Sequence, residues 1–216
     1  CRLPASWFFP ATLPAAYSLR AWGRIDTLAP ALLNSLGLAV AASLLATGIV
    51  LLMVVLNDKG KRPLLRLAIY APLLVPQVSL VLGLQAVLVW FWLDGTWLAM
   101  LWIHALFICP FAYLIIAPAA AAMDQRYIAV AASLGAGPGS RYLRVALPML
   151  APAITTALFV GVSVSVALYL PSLFAGGGRI TTVTLEAVAL ASGGSRQMAG
   201  VAAVSYTHLR AHETAS

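Results

Sequence analysis

Four long stretches of this chain contain no Asp, Glu, Lys or Arg. They lie between Asp26 and Asp58, between Arg66 and Asp94, between Asp94 and Asp124, and between Arg144 and Arg179. Each exceeds the ~20 residues a helix needs to cross the ~30 Å hydrocarbon core of a bilayer. The charges that do occur are few, 9% of the residues. A soluble domain carries roughly 25%, because water must be met by a charged surface. With a mean hydropathy of +0.95, the chain reads as an all-α membrane protein, a polytopic bundle of apolar helices joined by short loops.

The expected spans are about 31–56, 67–93, 97–123 and 147–174. Residues 1–29 mix Pro4, Pro10 and Pro14 with Trp7, Phe8, Phe9, Tyr17 and Trp22, which predicts an extracytoplasmic or interfacial segment with aromatics at headgroup depth. Asp94-Gly95-Thr96 is too short for anything but a hairpin between the second and third spans. Residues 198–203 start a further apolar run. The string 204–216 then turns polar and resembles the translation of a sequencing-library adapter, so it is expected to be a non-native tail. His208 and His212 within it, although spaced i, i+4, are therefore not expected to bind metal. The absence of an initiator Met and of a signal-type apolar region predicts that the chain is cut at its start.

A net charge of +7 would point to nucleic acid in a soluble protein. Here the basic residues gather in loops. The 57–66 loop holds Lys59, Lys61, Arg62 and Arg66, and the 124–146 segment holds Arg126, Arg141 and Arg144, whereas the 94–96 turn has none. The positive-inside rule therefore places 57–66 and 124–146 in the cytoplasm, with no nucleic acid partner; Arg2, Arg20 and Arg24 run against it on the other side.

The segment between the third and fourth spans is the informative one. Residues 125–134 are Ala-rich and free of breakers, which predicts a short helix ended by Gly135 and the Gly137-Pro138-Gly139 turn. Small side chains at Ala129, Ala131, Ala132 and Ser133 would let another protein approach closely. Further on come Val145, Leu147 and Pro148.

At these positions the sequence resembles the permease subunits of binding-protein-dependent ABC importers. Their cytoplasmic signature is Glu-Ala-Ala, three residues, Gly, nine residues, Ile, one residue, Leu-Pro. Set on Gly135, it falls on Ala129-Val130-Ala131, Gly135, Val145, Leu147 and Pro148. Ala129 replaces the Glu and Val130 the first Ala, so the polar contact of that Glu is not carried over. Asn34-Ser35 in the first span and Gly176-Gly-Gly-Arg-x-x-Thr182 are also similar to this family, nearest its thiamine, iron, sulfate and polyamine importer group.

The resemblance implies a multi-pass protein of the bacterial inner membrane. It implies partners too: cytoplasmic ABC ATPase subunits, a second permease subunit or fused permease half, and an extracytoplasmic solute-binding protein, besides the lipid bilayer. The 124–148 segment would be the coupling element, with Arg126, Tyr127, Ala129, Ala131, Ala132, Gly135, Val145, Leu147 and Pro148 at the ATPase contact. No Gly-x-x-x-x-Gly-Lys-Ser/Thr phosphate loop occurs in the chain, so ATP would be hydrolysed by a separate subunit. No acid/base pair or Ser, His and Asp set stands in catalytic context either. The expectation is a transporter subunit without cofactor or metal, not an enzyme.

Polar residues inside the apolar runs should face the bundle or a wet cavity. Interhelical bonding is the expected role for Ser79, His104, Thr155 and Thr156. It is also the leading expectation for Asn34, Gln77, Gln85, Ser163, Ser165 and Tyr169, which are at the same time the candidates for a translocation path. The alternative function, an ion-coupled secondary transporter or channel subunit, predicts acidic or basic residues within the spans, and these runs contain none.

Overall fold

The computed structural model describes residues 3–6, 16–18, 25–56 and 63–192. Three long apolar helices form the centre: α1 (Ile25–Leu56), α4 (Trp97–Ala122) and α7 (Leu147–Ala167). Each packs on the other two. Between them are α2 (Pro63–Leu74) and α3 (Gln77–Trp90). After α4 come α5 (Gln125–Ser133) and α6 (Pro138–Arg141), and after α7 come α8 (Tyr169–Gly176) and α9 (Val183–Ser192). A short antiparallel ribbon, β1 (Leu3–Ser6) and β2 (Ala16–Ser18), pairs Leu3 with Ser18 and Pro4 with Tyr17. The fold is thus a helical, polytopic bundle. Residues 57–62, 198–203 and 204–216 lie outside the described residues.

Hydrophobic transfer cannot hold helices together in lipid, because the tails are as apolar as the side chains. Close van der Waals packing of small residues does so instead. Ala39, Ala42, Ser43 and Ala46 form a buried stripe on α1, and Ala157, Gly161 and Ser165 form one on α7. At their crossing, a Cβ added to Gly161 would run into Ser43 Oγ and stand 3.0 Å from Ile108 Cγ2. Ser43 Oγ is itself fixed, donating to Leu158 O at 2.8 Å. Helix α4 lies deepest, with Ile103, Ile108, Ala112 and Ile116 all buried.

Proline decides where the apolar runs break. The expected second span, 67–93, is divided at Val75 and Pro76 into α2 and α3, which meet at 110°. Proline disfavours the helical region for the residue before it and lacks the N–H that would continue the ladder. The expected fourth span, 147–174, is divided in the same way at Leu168 (φ −74°, ψ 93°). Here Pro171 cannot donate to Ala167 O, and its ring would clash with that carbonyl in a continuous helix. At its other end, α7 is longer than its apolar part. The run Pro138–Ala167 is helical throughout, so residues expected in a loop form the first turns of one continuous helix with α7.

The hairpin between α3 and α4 is drawn onto the end of α8. Gly95 N–H donates to Ala175 O at 2.9 Å. Gly95 has φ +66°, and a Cβ there would come within 2.9 Å of Arg179 Cδ. Thr96 caps α4, accepting from Ala99 N–H at 3.2 Å. Around this turn Trp90 is 83% and Trp92 89% exposed, with Phe91 and Trp97 also exposed. Amphipathic rings clustered at one end of a bundle mark a membrane–water interface.

Candidate functional site

Helix α5 opens on Asp124, whose Oδ1 accepts from Arg126 N–H at 2.9 Å, a side-chain cap that satisfies a first-turn donor. It ends at Ser133 because Gly135 takes φ +79°, a left-handed conformation that suits glycine. Nothing lies within 4 Å of a Cβ placed on Gly135; the backbone angle, not crowding, makes glycine fit. Gly137 and Pro138 then start α6 rather than continuing the turn, with proline in the first helical turn.

Between α6 and α7 the backbone widens into a π turn, Tyr142–Ala146. Leu147 N–H bonds to Tyr142 O, five residues back. The reason is Pro148. In an α-helix its ring would press on Arg144 O, and its missing N–H would orphan that carbonyl. Moving to the wider register ahead of the proline keeps the helix unbroken.

Residues expected at an ATPase contact do not share one surface. Arg126, Tyr127, Ala129 and Gly135 are exposed, as are Leu147 and Pro148 at the start of α7. Ala131, Ala132 and Val145 are half-buried, where α5 rests on the π turn. Across the helix from Ala132 runs an apolar stripe: Tyr127 and Val130 are each 57% exposed and Leu134 81%. These positions, i, i+3 and i+7, fall on one face, and no residue of α5 is buried.

The candidate path residues are likewise dispersed. Asn34 Nδ2 donates to Thr181 O at 3.2 Å, beside Ser35 Oγ, which accepts from Val183 N–H at 2.8 Å and so caps α9 from another helix. Ser165 Oγ lies 2.8 Å from His104 Nδ1. Gln77 is exposed at the elbow between α2 and α3, while Gln85, Ser163 and Tyr169 are half-buried. Gln85 Oε1 is buried without a hydrogen-bond partner among the described residues. A cleft of about 370 Å³ opens in the crook of α2 and α3. Its lining is apolar, including Met53, Ile69, Leu84, Trp102 and Cys109, and it contains none of the six.

Residues 45–207 match the family described as the inner membrane component of binding-protein-dependent transport systems. That match takes in the last part of α1, from residue 45, and every element after it. The chain belongs to this family. It is also 36% identical, over 165 residues, to the inner membrane ABC transporter permease protein YnjC of Escherichia coli (strain K12). The aligned part covers 76% of this chain and 32% of that relative, so the chain spans about a third of the relative's length. What the bundle and the family together establish is an inner membrane component of the binding-protein-dependent transport family, multi-pass by its apolar helices.

Two features of this permease chain escaped the sequence reading. The sequence marks Val130 only as the residue in place of the signature's first Ala, and Leu134 only as the last residue of the expected 125–134 helix, although the i, i+3, i+7 spacing with Tyr127 outlines the stripe. The pairing of His104 with Ser165 and with Ser172 had no sequence signal, since its partners lie 61 and 68 positions away.

Proposed function

We propose that this chain forms part of the solute path of an importer and is driven through residues 124–148 by a separate cytoplasmic ATPase. The observation that carries the reading is the Tyr127, Val130 and Leu134 stripe, an apolar face left uncovered on a segment that basic residues place in the cytoplasm. Such a face costs free energy in water and is covered when a partner offers a groove. The π turn joins α6 to α7 without a break and α5 rests on that turn, so a push on α5 would reach the bundle through this packing contact. A second permease half, fused or separate, would complete the path. A solute-binding protein would deliver the solute from the other side.

The test uses the full-length permease in its native membrane. Affinity purification should bring down an ATP-hydrolysing subunit with the wild type and lose it with V130E/L134E. Val130 and Leu134 make no core contact, so the variant should reach the membrane in wild-type amount. Undiminished co-purification by that variant would overturn the docking assignment, and solute uptake in cells lacking any such ATPase would overturn the function.

A further inference from the structure

A helix break inside a bilayer leaves backbone groups without helical partners, and each is costly unless another group bonds it. At the Leu168 break one hydroxyl takes over for a missing helical partner, and a second adds a bond to the capping carbonyl of Leu168. Thr184 Oγ1 of α9 donates to Val166 O at 2.6 Å. Ser172 Oγ of α8 donates to Leu168 O at 2.6 Å. Ser172 Oγ also lies 3.1 Å from His104 Nε2. The other ring nitrogen, Nδ1, is 2.8 Å from Ser165 Oγ. Ser165 belongs to α7, before the break, and Ser172 to α8, after it. From α4, His104 bonds both.

Counting hydrogens fixes the direction of this relay. A serine hydroxyl has one hydrogen. That of Ser172 is committed to Leu168 O, so Ser172 Oγ receives the hydrogen carried by His104 Nε2. A neutral imidazole carries a single N–H, so Nδ1 accepts from Ser165. The relay ends on the carbonyl of the break residue itself. All three side chains are buried, with His104 at 1%, Ser165 at 3% and Ser172 at 1% exposure. The other two hydroxyl bonds do not join α7 to α8: Thr184 ties α7 to α9, and the bond from Ser172 to Leu168 stays within the start of α8.

We infer that His104 is a positioning residue, held as the Nε2–H tautomer, that pins α8 to α7 across the break and sets the angle between them. Its bearing on transport rests on the permease reading above; the pin itself does not. A continuous helix would need no pin. A break without one would leave Ser165 and Ser172 to bond in whatever geometry the lipid allowed.

The experiment uses the full-length permease in lipid nanodiscs. With ¹⁵N-labelled histidine, the signal lost in H104Q should show the Nε2–H tautomer in the wild type; an Nδ1–H tautomer or an imidazolium at neutral pH overturns the assignment. Hydrogen exchange of amides 168–176 should rise about tenfold in H104L, as expected for two lost interhelical bonds. It should return to near the wild-type rate in H104Q, whose amide offers an NH2 donor group for Ser172 and a carbonyl acceptor for Ser165. Equal exchange in wild type and H104L, or no rescue by glutamine, overturns the pin. If H104L does not fold, S165A removes only one arm and should speed exchange in the same amides by a smaller factor; no change there overturns it too. With the tautomer and exchange results as expected, solute uptake that is indifferent to all three variants would leave the pin standing and overturn its link to transport.

Discussion

Replacing Gly161 by alanine probes the packing on which the bundle depends. The new methyl group would meet Ser43 Oγ and lie 3.1 Å from Ser43 Cβ and 3.0 Å from Ile108 Cγ2. The hydroxyl cannot simply swing away, because it donates to Leu158 O at 2.8 Å. Overpacking of this kind costs about 1–3 kcal/mol. Loss of the Ser43 bond adds ~0.6 kcal/mol, the average for such bonds in membranes. Alanine's better helix propensity returns about 1 kcal/mol. The net loss is therefore ~0.6–2.6 kcal/mol, about 1.6 at the middle of the range. Reversible unfolding in mixed micelles would measure it. The second arm is G161A combined with S43G, which removes the two Ser43 atoms the methyl group meets and leaves the contact with Ile108 Cγ2. The double variant should recover about 1 kcal/mol relative to the sum of the single losses, a coupling of the size expected for residues in contact. An unchanged or raised stability for G161A, or strict additivity in the cycle, would refute the close crossing of α1 and α7.

Two further substitutions separate backbone angle from space. G95A should destabilise by about 1–2 kcal/mol in the same unfolding assay, since Gly95 holds φ +66° and its Cβ would press on Arg179 Cδ; truncating Arg179 in the same chain should relieve only the contact part. At Gly135, with φ +79° and open space around it, alanine and leucine should weaken the loop equally, by about 1–2 kcal/mol. Loop opening followed by limited proteolysis checks this, and a loss that grows with side-chain size would contradict it.

The apolar runs were legible because a charge in hydrocarbon is so unfavourable that its absence over a long stretch carries information by itself. Helix α5 was legible for a local reason: the expected 125–134 and the observed Gln125–Ser133 are both set by Asp124 and Gly135, adjacent in sequence. The breaks were not legible. Proline marks Pro72, Pro76, Pro110, Pro118, Pro152 and Pro171 alike, yet Pro72, Pro110, Pro118 and Pro152 lie within helices. What a proline in the sequence does not state is which distant group receives a freed carbonyl. At Leu168 that group is Thr184, 18 positions from the carbonyl it bonds. The π turn was hidden for a similar reason, since Pro148 states that a register must change but not which one. The family signature runs through Ala131 and Val145, which the fold half-buries, while of the exposed stripe beside them it touches Val130 but neither Tyr127 nor Leu134.

The continuous helical run Pro138–Ala167 meets α1 most tightly at Gly161, far from its middle. At 1.5 Å per residue, about 35 Å of helix lies on the loop side of that contact and about 9 Å on the side of the break at Leu168. A rigid rod turning about such a point is an unequal lever. Its short arm moves roughly a quarter as far as its long arm, and with roughly four times the force. A displacement of several ångströms at the loop would shrink to about one at Leu168. Motion of that size tightens or loosens a packed contact without pulling a helix out of its place.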